Sequence, residues 1–378
     1  MKSIYLDYAA GTPLAPEVVE AIRQYESDFY NPSAIYLSAK KASGIIDESR
    51  KTVADILGAK TSEIIFTSGS TEANNLAIGG VLKRYPKGRA AVAATEHKAV
   101  LQAAKHFASG MDIIPVDERG LVTPEALKAA IEADTALISI AMADSEIGAT
   151  QQFRKLLPVI KQARQARGKS ALPLYFHSDA SQAASYLDLH VDRLGVDLLS
   201  LGGSKIYGPK STGVLYAKHN VNIEPLAYGG GQERGLRSGT ENTASIAGFS
   251  RALALAQSLR ASESRRLSRL RDKLAEELAK ASQIVINGDH RHQLPNFLNI
   301  SVDGADGERL VMKLDELGLM SGTGAACSIR DDQPSYVLKA IKLSNTQAGG
   351  SLRLSLGRGT TEAEINTAAK LILQVIAS

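Results

Sequence analysis

The most distinctive reactive side chain is Cys327, because the 378-residue sequence contains no other cysteine. It lies in residues 322–328 (GTGAACS), a run of small and polar residues that predicts an exposed, mobile loop. A lone thiol forms no disulfide within the chain, so it is either a buried packing residue or a reactive thiol. The loop favours the reactive thiol.

Four more side chains suit the same kind of site. Lys205 follows an apolar stretch in a Gly-Gly-Ser-Lys turn, where its amine could form a Schiff base. Asp179 ends another apolar stretch and would suit a pyridinium nitrogen, while His97 could stack on a ring or move a proton. Arg353 can bind a carboxylate through paired hydrogen bonds. Each of these residues also has an ordinary structural explanation: the lysine could be a solvated surface residue, and the histidine could be a core residue with a satisfied hydrogen bond.

Residues 67–71 (TSGST) follow a predicted strand and open a predicted helix. Free N–H groups at a helix N-terminus, together with hydroxyl groups, form an anion site, although an ordinary serine or threonine cap gives the same pattern. The run is not a P-loop, because no Gly-Lys-Ser/Thr follows it. This anion site, taken together with the lysine, aspartate, histidine and arginine of the preceding paragraph, predicts a site that binds pyridoxal phosphate and an amino acid.

The first two thirds of the sequence alternate between apolar runs and amphipathic stretches. Predicted strands cover residues 63–66, 90–94, 111–116, 136–142, 172–177, 198–201 and 213–217, and predicted helices cover 71–83, 98–107, 124–131 and 153–165. This alternation predicts an α/β fold with a mostly parallel sheet covered on both faces. The last two strands have no helix between them, so we expect them to be antiparallel.

Polar clusters follow five of these strands, at the ends where open α/β sheets bind ligands. They are residues 67–72, 95–97, 144–146, 177–179 and 202–205. From residue 241 to 281 the pattern is helical, and shorter strand and helix patterns follow. We predict a large cofactor-binding domain of residues 14–256 and a small α+β domain of residues 1–13 and 257–378.

Composition indicates a globular enzyme, with 44% apolar and 22% charged residues and a formal net charge of +4. The arginines of residues 265–271 fit a solvated helix face better than a nucleic-acid site, and no apolar run is long enough to span a bilayer. The N-terminus lacks the long apolar core of a signal peptide. This feature and the single cysteine together predict a cytoplasmic protein. No metal site is predicted.

Several longer runs carry a resemblance over nearly the whole chain. They are residues 5–10 (YLDYAA), 66–75 (FTSGSTEANN), 95–100 (TEHKAV), 146–148 (EIG), 179–182 (DASQ), 205–210 (KIYGPK), 229–242 (GGGQERGLRSGTEN), 334–338 (PSYVL) and 353–358 (RLSLGR). In these runs the sequence resembles the NifS-type cysteine desulfurases of the class V aminotransferase family. The resemblance implies the fold-type I architecture of pyridoxal phosphate enzymes, with a seven-stranded sheet, and a homodimer.

The resemblance also implies a role for each matching residue. Lys205 would bind the cofactor as a Schiff base, and Cys327 would take the sulfur of L-cysteine as a persulfide for a sulfur-acceptor protein. The cofactor ring would contact His97, Asp179 and Gln182. The phosphate would be bound by Ser70, Thr71 and, from the neighbouring subunit, Thr240. The substrate carboxylate would be bound by Arg353. The sulfur would serve iron–sulfur assembly or tRNA thiolation.

Two segments of the predicted site differ from the family pattern. Gly202 and Ser204 stand where the family has a phosphate-binding serine and a histidine, which predicts looser cofactor binding. Asp144 and Ser145 stand where the family has two asparagines, the second of which contacts cofactor and substrate carboxylate. Two alternatives therefore stay open: a selenocysteine lyase or other pyridoxal phosphate β-lyase, and a degenerate dimeric scaffold with little activity.

Overall fold

The computed structural model describes residues 3–168, 172–323 and 334–377. Its strands are β1 (Ile4–Tyr5), β2 (Ile64–Thr67), β3 (Arg89–Ala93), β4 (Met111–Ile114), β5 (Thr135–Ser139), β6 (Tyr175–Asp179), β7 (Leu198–Gly202), β8 (Gly213–Ala217), β9 (Ile284–Asn287), β10 (Phe297–Val302), β11 (Leu319–Met320) and β12 (Ser351–Ser355). Its helices are α1 (Pro16–Arg23), α2 (Leu37–Leu57), α3 (Ser70–Arg84), α4 (Lys98–Phe107), α5 (Pro124–Ala130), α6 (Phe153–Ala166), α7 (Val191–Leu194), α8 (Thr243–Leu278), α9 (Gly307–Glu316), α10 (Tyr336–Ala340), α11 (Asn345–Gly349) and α12 (Glu362–Ile376).

The largest sheet formed by the described residues has seven strands in the order β2-β8-β7-β6-β5-β3-β4. Strands β7, β6, β5, β3 and β4 are parallel, whereas β8 is antiparallel to both of its neighbours. The predicted α/β fold with a mostly parallel sheet is confirmed. The antiparallel β7–β8 pair is confirmed as well, because too few residues separate these strands for a crossover helix.

Both faces of this sheet are buried, as the alternation of side chains along each strand requires. In β2, Ile64 and Phe66 pack with α2 and α8 side chains on one face, while Ile65 packs with α3 on the other. In β5, Ile138 packs on the same face as Ile64 and Phe66, and Leu137 packs on the opposite face.

A second core lies around the antiparallel sheet β12-β10-β9 and the parallel pair β1–β11. The last half of α8 packs on this core through Leu267, Leu274 and Leu278, whereas its first half packs on the large sheet through Phe249 and Leu253. Residues 241–281 therefore contain one continuous helix. The division into domains at residues 13 and 256 stays a prediction. No helix among the described residues is both long and apolar enough to cross a membrane.

A buried ion pair holds the 229–242 segment against the edge strand of the large sheet. Arg50 of α2 donates two hydrogen bonds, of 2.8 and 2.7 Å, to the carboxylate of Glu233. The same carboxylate accepts the backbone N–H of Phe66 at 2.9 Å. Glu233 has a φ of +48°, a left-handed conformation that costs free energy in a non-glycine residue, so these three bonds stabilise the local backbone.

We expect the substitution Glu233→Ala to lower the free energy of unfolding by about 3–5 kcal/mol, because it leaves the Arg50 guanidinium buried without its partner. Urea unfolding at fixed protein concentration measures this loss. The matched control is Glu224→Ala, which removes the exposed ion pair with Arg84 and should cost at most about 1 kcal/mol. An equal loss in the free energy of unfolding for the two substitutions would contradict a stabilising role of the buried ion pair.

Candidate active site

The predicted site residues meet at one edge of the large sheet, where β2, β3, β5, β6 and β7 end. They surround a cavity of about 210 Å³, which we call the central cavity. The predicted side chains that line it are those of Ser70, His97, Ser145, Asp179, Gln182, Lys205 and Arg353. A second, more open cavity, the outer cavity, adjoins it and is lined by Ser70, Thr71, Gly202 and Ser204.

Lys205 ends a single 3₁₀ turn, residues 203–205, that directly follows β7. Its Nζ donates hydrogen bonds to the carbonyl oxygens of Ala9 (2.8 Å) and Ala10 (2.7 Å). Gln182 Nε2 donates to the same Ala9 oxygen at 3.0 Å. The N-terminal segment therefore holds the amine and the amide on one side of the central cavity.

Asp179 is the last residue of β6, and two hydrogen bonds fix its carboxylate. Asn74 Nδ2 donates to Oδ2 at 2.7 Å, and the backbone N–H of Ser181 donates to Oδ1 at 2.9 Å. These two hydrogen bonds fix the orientation of the carboxylate at the edge of the central cavity. The supporting residue, Asn74, lies within the family-like run 66–75 but was given no role from the sequence.

The ring of His97 is oriented by the helix that it begins. Its Nδ1 accepts the backbone N–H of Ala99 at 3.1 Å, at the first turn of α4. In the neutral ring the proton is therefore on Nε2. Burial lowers the pKa of His97, an effect that Asp179 opposes and Lys205 reinforces, so the ring is neutral near pH 7.

Arg353 lies in the middle of β12 and is 5% exposed. Its Nη2 donates to Asp7 Oδ1 at 2.8 Å, and its Nη1 donates to the carbonyl oxygen of Ser145 at 3.0 Å. Three buried polar atoms of the central cavity have no hydrogen-bond partner in the described part of the chain: Arg353 Nε, Ser181 Oγ and Asp144 Oδ2. The lining of the central cavity contains both donor and acceptor groups, among them Lys205 and Asp179.

A cluster of three buried carboxyl groups lies beside the central cavity, and two of them, Asp144 and Glu146, line it. Burial, reinforced by neighbouring carboxyl groups, raises the pKa of Glu96 and raises that of Glu146 to about 8. Asp144 also has a raised pKa because it is buried, although its Oδ1 accepts the backbone N–H groups of Glu146 (2.9 Å) and Ile147 (2.6 Å). Glu146 accepts a hydrogen bond from Ser335 Oγ at 2.5 Å.

One predicted cluster is placed differently from the prediction. Residues 177 and 178 do not follow β6 but lie inside it, and only Asp179 is at its end. The His177 ring is buried between the hydroxyls of Ser139 (2.9 Å) and Ser200 (3.0 Å), on the two neighbouring strands. Its hydrogen bonds are thus satisfied within the sheet, and burial lowers its pKa to about 4.

Two predicted residues are not among those that line the cavities. Thr240 is exposed and lines neither of them. Cys327 lies outside the described residues, and so do residues 324–328 of the loop predicted around it. The chain on both sides of residues 324–333 is nevertheless attached to the cavity. Gly322 pairs with Arg353 through two backbone hydrogen bonds of 3.1 and 2.7 Å, and Tyr336 Oη donates to the Glu96 carbonyl oxygen at 2.7 Å.

Comparison with known proteins decides the family. The profile of the aminotransferase class-V family matches residues 4–367. The chain belongs to the class-V aminotransferase family. This confirms the resemblance and the fold-type I architecture predicted from the sequence.

Relatives of this class-V aminotransferase cover nearly all of it. Cysteine desulfurase IscS of Dictyoglomus turgidum is 40% identical over 99% of this chain and 95% of that relative. A solved NifS-like protein superposes with a TM-score of 0.90 at 30% identity, over 99% of each chain. A solved complex of SspA with cysteine has a TM-score of 0.79 and 33% identity over 94% of this chain and 99% of that one.

The raised pKa of Glu146 predicts how the stability of this class-V aminotransferase depends on pH. Between the ordinary carboxyl pKa near 4.5 and the folded value of about 8, the folded state binds a proton that the unfolded state has lost. The contribution of Glu146 to stability therefore falls as the pH rises through this range, by at most about 1.4 kcal/mol per pH unit.

The substitution Glu146→Gln should remove this slope, because the amide mimics the protonated acid. Urea unfolding of the cofactor-free protein between pH 5.5 and 8 measures it, with the exposed Glu118→Gln as the control. A difference between wild type and Glu146→Gln that stays constant over the pH range would contradict the prediction.

Proposed function

We propose that this protein is a pyridoxal phosphate-dependent cysteine desulfurase. It would convert L-cysteine to L-alanine and carry the sulfur as a persulfide on Cys327. The observation that carries the proposal is the meeting of Lys205, Asp179, His97 and Arg353, far apart in sequence, around one cavity. The relative from Dictyoglomus turgidum, similar over 99% of the chain, bears the name cysteine desulfurase.

The polar groups of the two cavities fit pyridoxal phosphate. Lys205 would bind it covalently, Asp179 would pair with its ring nitrogen, and the neutral His97 ring would stack on it. Gln182 would reach the ring oxygen, and the first turn of α3 with Ser70, Thr71 and Ser204 would bind the phosphate beside Gly202. When bound, the cofactor supplies an electron sink that makes a bond to Cα of the amino acid easy to break.

The substrate carboxylate would bind to Arg353 and Ser145. Asp7 and the Ser145 carbonyl oxygen already orient two guanidinium nitrogens, and the arginine lines the central cavity. A buried guanidinium held in this way binds a planar carboxylate with little loss of side-chain entropy.

In the sulfur-transfer step, the Cys327 thiolate would attack the sulfur of the bound cysteine. A sulfur–sulfur bond forms, the substrate carbon–sulfur bond breaks, and its electron pair stays on the three-carbon fragment, which becomes alanine after protonation. The assignment of this thiolate to Cys327 rests on the resemblance to the cysteine desulfurases.

A homodimer would complete the site, with Thr240 reaching the phosphate of the partner subunit. The exposure of Thr240 is consistent with this role. A cluster of exposed apolar side chains, Phe29 (85%), Ile35 (90%) and Leu37 (78%), is also typical of a surface that another chain covers. A sulfur-acceptor protein in the cytoplasm, serving iron–sulfur assembly or tRNA thiolation, remains the predicted partner.

Removing the Lys205 amine should remove the visible absorption of the cofactor complex. The wild-type protein should be yellow, and borohydride should bleach its band, whereas Lys205→Ala should lack the band and lose activity by at least about a thousandfold, as expected for loss of a covalent catalyst. Lys51→Ala, on the exposed face of α2, is the control and should keep both properties. A band that persists in Lys205→Ala would refute the assignment.

Removing the Cys327 thiol should separate sulfur transfer from cofactor binding. With L-cysteine and a reductant, Cys327→Ala should release sulfide and alanine at least about a hundredfold more slowly than wild type while keeping the visible band. An unchanged rate would show that Cys327 is not the sulfur acceptor and would favour a β-lyase. Parallel assays with L-selenocysteine test the selenocysteine lyase alternative.

A further inference from the structure

Residues 144–148, which we call the wall segment, lie after β5 and include three residues that line the central cavity. Four consecutive carbonyl oxygens of the wall segment each accept a hydrogen bond from the part of the chain that follows α8. The bonds run from Arg353 Nη1 to Ser145 (3.0 Å), from Asn299 Nδ2 to Glu146 (3.3 Å), from Gln293 Nε2 to Ile147 (2.6 Å) and from the Leu294 N–H to Gly148 (2.8 Å). Residues far along the chain therefore set the position of this part of the cavity wall.

Asn299 lies in the central strand of the small antiparallel sheet, directly opposite two other polar residues. The ladder pairs it with Arg353 of β12 on one side and with Asn287 of β9 on the other. Directly opposite residues point to the same face of a sheet, so the three side chains form a polar row. Asn299 is 0% exposed and uses both ends of its amide, because Oδ1 accepts Asn287 Nδ2 at 2.7 Å and Nδ2 donates to the wall segment. These two bonds fix the direction of the amide.

The wall segment has little freedom to shift against the small sheet. Gly148 has a φ of +71°, and a Cβ atom on it would lie 2.6 Å from Phe297 Cβ, so the segment contacts the strand that bears Asn299. Within the segment, the Asp144 carboxylate accepts the N–H groups of residues 146 and 147. We therefore expect a displacement at one carbonyl group of the segment to be shared by its neighbours.

Asn299 and Arg353 bind neighbouring carbonyl oxygens from neighbouring strands. The Ser145 oxygen in turn orients Arg353 Nη1, as Asp7 orients Nη2. We propose that Asn299 and Gln293, which are not among the described residues that line the central cavity, are positioning residues for the amino acid substrate. They fix the wall segment, and its Ser145 oxygen fixes the direction of the Arg353 guanidinium. The proposal rests on the proposed function, in which Arg353 binds the substrate carboxylate.

Two ligands that differ only in the carboxylate test the proposal. L-2-Aminobutyrate has a methyl group in place of the cysteine thiol, so it cannot give up sulfur, and propylamine is the same amine without the carboxylate. Each is titrated into the cofactor-loaded protein, and the change in visible absorption gives its dissociation constant. Wild type should bind L-2-aminobutyrate at least about tenfold more tightly than propylamine, because only L-2-aminobutyrate has a carboxylate for Arg353.

Asn299→Ala should bind L-2-aminobutyrate about fivefold more weakly than wild type, and propylamine within about twofold, because it removes the donor to the Glu146 oxygen. Gln293→Ala removes the donor to the Ile147 oxygen of the same segment and should show the same selective loss. A general loss of cofactor or of folded protein would weaken both ligands alike. The ratio of the two dissociation constants therefore separates positioning from stability.

The matched control is Asn296→Ala. Asn296 is also buried, and its Nδ2 donates to a backbone carbonyl oxygen, that of Leu356, at 3.2 Å. In the cofactor-free protein, Asn296→Ala and Asn299→Ala should both lower the thermal midpoint, because each removes a buried hydrogen bond. Of these two variants, only Asn299→Ala should change the ratio of the dissociation constants.

Two results overturn the inference and leave the proposed function intact. They are a wild-type ratio in Asn299→Ala and Gln293→Ala, and an equal change of the ratio in Asn296→Ala. If Asn299→Ala fails to fold, Gln293→Ala decides against the same control whether the wall segment positions Arg353. A wild-type protein without a visible band would instead refute the proposed function, and a wild type that binds both ligands equally would refute the role of Arg353 within it.

Discussion

The hydrogen bonds from Lys205 Nζ to the carbonyl oxygens of Ala9 and Ala10 are the contact on which the geometry of the site depends. These oxygens belong to a segment that passes from the smaller core, through Leu6, to the larger core, through Tyr8. On its way the segment pairs Asp7 with Arg353. One short stretch of backbone therefore places the lysine at the end of the large sheet and the arginine of the small sheet on the two sides of the same cavity.

Local patterns predicted the elements that bear the site, since strands and helices alternate strongly there. The bounds of α4 and β8 agree with the sequence prediction at both ends, and the residues after β3, β6 and β7 meet as the topology of a parallel sheet requires. The long helix α2 was not predicted. Its buried positions include the small residues Ala39 and Ala42, which give little contrast in hydropathy between the two faces.

The residues that support the site could not be predicted for a different reason. Their roles depend on contacts between distant parts of the chain. Asn74 resembles any helical asparagine until Asp179, 105 residues away, is placed beside it. Glu146 is an ordinary loop acid in the sequence, and only burial next to Asp144 and Ser335 gives it an unusual pKa. His177 was predicted beyond the end of its strand, but it lies inside it, and two serines on the neighbouring strands, not a ligand, form the hydrogen bonds of its ring.

The pairing of β1 with β11, and of Asp7 with a partner 346 residues further along the chain, has a consequence for biosynthesis. The ribosome makes the N-terminal strand first, yet that strand has no neighbour until almost the entire polypeptide has emerged. The large sheet can form during translation, but the segment that positions Lys205 and Arg353 together cannot settle before the chain is nearly finished. Loading with a cofactor is therefore expected to follow translation, and removal of residues 319–378, which include β11, would leave the first strand exposed as an unpaired edge.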